Sequence, residues 1–90
     1  MSHYVAEIVY TAAPDVVAAS RPAHREHLAA LHDRGALVMS GPWADGTGAC
    51  LVYRAEDEAA VREMLESDPF RREGVVEVLS VREWTVVIGG

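Results

Sequence analysis

Lysine is absent from this 90-residue chain: its eight basic residues are all arginines, against fourteen acidic ones, for a formal net charge of −6. The arginines stand singly, apart from Arg71-Arg72. Such a chain offers no basic stripe to a phosphate backbone, so a nucleic-acid partner is not expected. The acidic balance reads instead as a solubility feature. Cysteine is almost missing too. Cys50 stands alone, which excludes an intrachain disulfide and is compatible with a reducing cytoplasm. No apolar run approaches the roughly 20 residues of a membrane span, and the first residues carry no basic, signal-like start. A cytoplasmic protein with no membrane partner is the expectation. Repeats, low-complexity tracts and linkers are lacking as well, so residues 1-90 are read as one domain.

What is present in quantity is apolar surface. Half the residues are hydrophobic, which argues against disorder. A chain this short buries only roughly 60–65% of the surface its unfolded form exposes, so it is marginal alone. Pairing with a second copy is one way to bury more.

The periodicities predict four strands and two helices. His3 to Tyr10 is short and rich in Val, Ile and Tyr, with Tyr4, Ala6, Ile8 and Tyr10 on one face and Val5, Glu7 and Val9 on the other. After a looser stretch, helix one is expected to start at Ser20 as cap with Pro22 in its first turn, and to close at Gly35. His24, Leu28, Leu31 and Gly35 fall on one narrow stripe of it. Leu37–Ser40 and Ala49–Arg54 read as strands two and three, joined through a Gly41–Gly48 loop whose glycines, proline and aspartate mark a hairpin. Glu56–Ser67 has helical periodicity, and Pro69 disfavours helical geometry at Asp68. Val75–Ile88 is the expected fourth strand.

This order, βαββαβ, is that of a ferredoxin-like α+β sandwich: an antiparallel sheet with two helices on one face. The other face is left bare. Yet strands one, three and four are apolar at both odd and even positions, as in Val5/Val9, Ala49/Leu51/Tyr53 and Cys50/Val52, where a solvated face would alternate more cleanly with polar residues. A homodimer through that open sheet face is expected.

The same topology gathers polar residues at one rim: Arg21 and His24 from helix one, Ser40, Trp43 and Asp45 near the hairpin, and Asp68 at the exit of helix two. His24 sits on the apolar stripe and points inward. Asp68 continues the Val61, Met64 and Leu65 side of helix two. A carboxylate turned toward apolar surroundings needs a partner, and an imidazole is a natural one. A histidine oriented by a carboxylate is a recurring unit of acid–base catalysis. The dipoles of the two helix ends are expected to favour a neutral His24 and to oppose an anionic Asp68. The plainer alternative is a satisfied core histidine beside an Asp-Pro turn.

Other constellations are weaker. His24-x-x-His27 sets two imidazoles on adjacent turns and His3 could join, but His27 lies off the stripe and no Cys or Glu completes a ligand spacing. Neither a metal nor a cofactor is expected. His32 reads as a solvated helix-end residue, Cys50 as a small core residue, Trp84 as packing, and Trp43 as a possible pocket wall.

Taken together, Arg21-Pro22-Ala23-His24, Leu28, Leu31-His32, Gly35, Ser40-Gly41-Pro42, Asp68-Pro69-Phe70 and Gly74 resemble the YciI-like (YCII-related) family. The resemblance spans nearly the whole chain. It implies a ferredoxin-like protomer of a dimeric α+β barrel, with an active-site His–Asp pair that falls on His24 and Asp68. It also implies lyase or isomerase chemistry on small, often cyclic or aromatic, compounds. On that reading the chain is a cofactor-independent enzyme for a small-molecule ligand, with His24 as general base or acid and Asp68 orienting it. Arg21 would meet an anionic group, Trp43 would stack on a ring, and Ser40 would complete the substrate site. The alternatives are a non-catalytic ligand-binding or accessory dimeric module and a cofactor-free monooxygenase-like barrel, the latter needing a roomier pocket than the short hairpin loop implies.

Overall fold

In a computed structural model, which describes residues 1–89, alternation along β1 (Ser2–Tyr10) is clean: Tyr4, Ala6 and Ile8 are buried, while Val5, Glu7 and Val9 are half-buried on the reverse face. α1 follows as Pro14–Asp33. The expected start at Ser20 is therefore too late. Pro14, not Pro22, takes the first-turn position, and the buried stripe Val17, Ser20, His24, Leu28, Leu31 begins before Ser20. Pro22 lies inside the helix. It removes the hydrogen bond to the carbonyl of Ala18, but both residues are exposed, so water can take the orphaned acceptor. The helix ends as expected, with the Gly35 and Ala36 amides bonded back to the carbonyls of His32 and Leu31.

β2 (Leu37–Pro42) and β3 (Gly48–Ala55) form a hairpin whose ladder reaches Pro42 opposite Ala49. The strands thus claim Gly41, Pro42 and Gly48 from the expected loop. α2 (Glu58–Glu66) is capped by Asp57, whose side chain accepts the Ala60 amide at 2.9 Å. It stops short of Asp68, which instead caps a further short helix, α3 (Pro69–Arg72). β4 spans Val76–Trp84 rather than Val75–Ile88. Its neighbour runs out: Trp84 lies opposite His3, near the first residue of β1, so residues 85–88 have no strand to pair with.

The sheet order is β2-β3-β1-β4, antiparallel throughout, with α1 and α2 on one face. This is the ferredoxin-like α+β arrangement. The core fills the layer between, with Ile8, Leu51, Tyr53, Val61 and Phe70 the largest fully buried side chains. The opposite face holds a shallow depression of about 510 Å³ lined by Val5, Met39, Cys50, Val52 and Trp84 among others. Trp84 is half exposed there, and Cys50 sits on this face rather than in the core, contrary to expectation. No described helix is long and apolar enough to cross a membrane.

Candidate active site

The site is built on α1. His24 lies about three turns into that helix, so the macrodipole of the helix end, which fades within the first turn, does not reach it as expected. Its neighbours on the stripe draw it under the surface, where the side chain is 9% exposed. Asp68 comes from the turn between α2 and α3 and is buried as well. The two side chains meet: His24 Nδ1 lies 2.8 Å from Asp68 Oδ1 and 2.9 Å from Oδ2.

Local structure makes Asp68 an acceptor. Pro69 holds it extended, and as the cap of α3 its Oδ1 accepts the Phe70 amide at 2.9 Å. Asp68 thus follows directly on the Ser67 C-cap of α2 and begins α3, so the expected helix end and a helix start meet at it. A carboxylate that already accepts an amide fixes the imidazole tautomer by taking the Nδ1 proton. Nε2 is left with its lone pair and has no protein partner among the described residues.

Phe70 completes the arrangement. Its ring stacks on the imidazole at 3.8 Å and 9°, and Tyr10 meets its edge at 5.9 Å. Gly74 closes α3 behind Phe70: at φ +70 it allows the Val75 amide to bond the Phe70 carbonyl. Ser20, expected as a helix cap, is instead buried and donates to Glu73 at 2.6 Å, pinning α1 to the end of α3.

His24 opens on a partly enclosed cavity of about 140 Å³, walled also by Tyr10, Arg21, Arg25, Leu28, Ser40, Pro42 and Phe70. Of the residues expected at the site, Arg21 and Ser40 are therefore in place beside His24, with Asp68 behind the imidazole. Trp43 is not: it lies in the hairpin turn, 43% exposed and outside the cavity wall. Asp45 is a turn former. Its carboxylate accepts the Thr47 hydroxyl at 2.7 Å and the Thr47 amide at 3.1 Å, which hold its pKa below the usual carboxylate value. Larger depressions lie on the open sheet face and between α1 and α2, but neither contains a hydrogen-bonded histidine–carboxylate pair.

Arg25 and Phe70 are site residues that the sequence reading missed. Arg25 follows Arg21 by four on the same helix flank, a spacing that could have indicated it. Phe70 stood in the Asp-Pro-Phe motif without a role. Beneath the pair lies another unexpected group, Tyr53, which is fully buried with a hydroxyl that has no partner among the described residues. Burial, and secondarily the charge of Asp68, push its pKa up. Cys50 is no activated thiol: burial and then Glu7 raise its pKa. His27 is engaged elsewhere, with Nε2 at 3.2 Å from the Met64 carbonyl. No three His, Cys, Asp or Glu side chains of the described residues form a metal-binding group.

With the geometry in hand, comparison with known proteins gives consistent relatives. A model of the YCII-related domain matches residues 3–85. The chain is 37% identical over 70 residues to the derivative of benzaldehyde biosynthesis cluster protein C of Emericella nidulans, covering 66% of this chain and 71% of that protein. It is 32% identical over 77 residues to the protein YciI of Escherichia coli O6:H1, covering 74% and 79%. Among solved structures it resembles the 5-chloro-2-hydroxyhydroquinone dehydrochlorinase TftG of Burkholderia phenoliruptrix AC1100, in complex with 2,5-dihydroxybenzoquinone. The TM-score is 0.78 at 23% identity, over 94% of both chains.

Proposed function

The chain belongs to the YCII-related domain family, and from that membership and the geometry at His24 we propose a small cofactor-independent enzyme of lyase or isomerase type. Its substrate is a small, cyclic or aromatic metabolite. The observation that carries this is the contact of His24 Nδ1 with both oxygens of buried Asp68, which leaves Nε2 as a base at the cavity. In the reaction, Nε2 takes a proton from a C–H or O–H of the substrate. The freed electron pair forms a new double bond as a leaving group departs, or shifts along the ring until the imidazolium returns the proton elsewhere. Asp68 stabilises the imidazolium and holds the ring in register. Arg21 and Ser40 bind substrate polar groups.

Two relatives support the chemical class. TftG is a dehydrochlorinase of a hydroxylated ring, and the Emericella protein belongs to a benzaldehyde-derivative cluster. The cavity, at about 140 Å³, has room for one ring. The working unit is a homodimer joined through the open sheet faces, and its compartment is the cytoplasm.

The test is His24→Gln, which keeps a hydrogen-bonding partner for Asp68, assayed on hydroxylated monocyclic compounds for elimination or for deuterium uptake from heavy water. Turnover should fall by roughly 10²-fold or more. Asp68→Asn should also lose activity, because an amide can present its N–H and favour the wrong tautomer. Undiminished turnover in His24→Gln would sink the catalytic role. The second reading, a ligand-binding module, is favoured by the burial of both side chains and by the role of Asp68 as the cap of α3. It predicts weaker ligand binding in that variant with no reaction to lose.

A further inference from the structure

In a chain with fourteen acidic residues, the cavity at His24 is walled by none of them. Its ionisable wall groups are Tyr10, Arg21, His24 and Arg25. Arg21 and Arg25 are four apart on one helix, an arrangement of like charges that weakens a helix unless something negative lies between. Neither forms an ion pair with the described residues; Arg62 and Arg71 do, while Arg34, Arg54, Arg72 and Arg82 do not. The nearby carboxylates are occupied: Asp68 by His24 and the Phe70 amide, Glu73 by Ser20.

Arg21 and Arg25 thus bring two positive charges to the cavity wall, whereas Asp68, the carboxylate behind the imidazole, is not part of that wall. Apart from Ser40, the remaining wall is apolar or aromatic, with Leu28, Leu51 and Phe70 its larger side chains. Its volume of about 140 Å³ is close to the roughly 150 Å³ of an apolar cavity that holds one benzene.

We infer that Arg21 and Arg25 together form an anion clamp, and that the ligand of this cavity is a single six-membered ring bearing one negative charge, as carboxylate or phenolate. The planar forks suit a charge-assisted grip on such an oxyanion, two-point where it is a carboxylate, while His24 Nε2 is free to act on the ring. This rests on the cavity being the substrate site, as proposed above. Arg25 is thereby a specificity residue that binds charge and takes no part in proton transfer.

The test is direct binding, by nuclear magnetic resonance titration of the full chain with benzoate and with its neutral isostere benzamide. Benzoate should bind roughly tenfold or more tightly, shifting the signals of Phe70 and of residues 21–25. Arg25→Gln, an exposed position where folding is not at stake, should weaken benzoate roughly three- to tenfold and benzamide less; Arg21→Gln should weaken benzoate as well. Benzamide binding as tightly as benzoate, benzoate failing to reach this cavity, or Arg25→Gln leaving its affinity intact would each overturn the inference. Because binding is read without turnover, the activity of His24→Gln decides the catalytic reading separately.

Discussion

A phenol sealed from water must keep its proton, and Tyr53 is sealed completely. Its pKa is raised in the folded chain by burial first and by Asp68 second, above the ordinary 10.0 that it regains on unfolding. The folded state therefore holds a proton that the unfolded state releases, and stability present below about pH 10 is lost as the pH climbs beyond it. Tyr53→Phe should flatten that alkaline decline, seen by comparing urea denaturation near pH 7 and about pH 11. At neutral pH the variant should be as stable as the parent, or up to about 1 kcal/mol more so, since it discards a hydroxyl with no protein partner. A clear neutral-pH loss would mean that the hydroxyl is satisfied in solution. None of this was legible in the sequence, where Tyr53 is one more aromatic residue in a strand. Burial of its hydroxyl is decided by the helices laid over it.

Elements report how far local pattern reaches. The alternation of β1 and the hairpin signals of Gly41–Gly48 placed three strands correctly, because a strand's period lies in its own residues. Strand ends were another matter. β4 stops at Trp84, although its sequence stays apolar to Ile88, because pairing depends on where β1 begins. Pro22 misled the reading of α1 because a proline is usually a first-turn residue, and its cost inside a helix is low only where water reaches the broken bond. At the β1–β3 junction a close approach sets a limit. Gly48 pairs with Val9, and a methyl group on it would run into the carbonyl oxygen of Ile8. Gly48→Ala should cost about 1–3 kcal/mol or more in chemical denaturation, because backbone rather than a flexible side chain must give way. An unchanged midpoint would show that the hairpin shifts freely there.

At the scale of the whole molecule, the open sheet face decides what the chain does with its surplus apolar surface. Met39 and Trp84 are 59% and 50% exposed around the depression that Val5 and Val52 also line. For a 9.8 kDa chain, burying that face against a copy is the simplest remedy. The parent should run in light scattering at about twice the chain mass, and Met39→Glu combined with Trp84→Glu should bring it to the monomer, because two charges cannot be desolvated there unpaired. A parent that is monomeric at all concentrations would remove the homodimer from the proposal.

By itself the sequence determined the fold class, the stripe that turns His24 inward and the break at Asp68-Pro69, since these follow from periodicity and from proline's steric limits. Only the tertiary structure decided that Asp68 begins a helix instead of ending one. It also decided that Phe70 lies flat on the imidazole and that Trp43 stays outside the cavity. Those outcomes depend on distances between residues far apart along the chain, 44 positions in the case of His24 and Asp68, which no local pattern encodes.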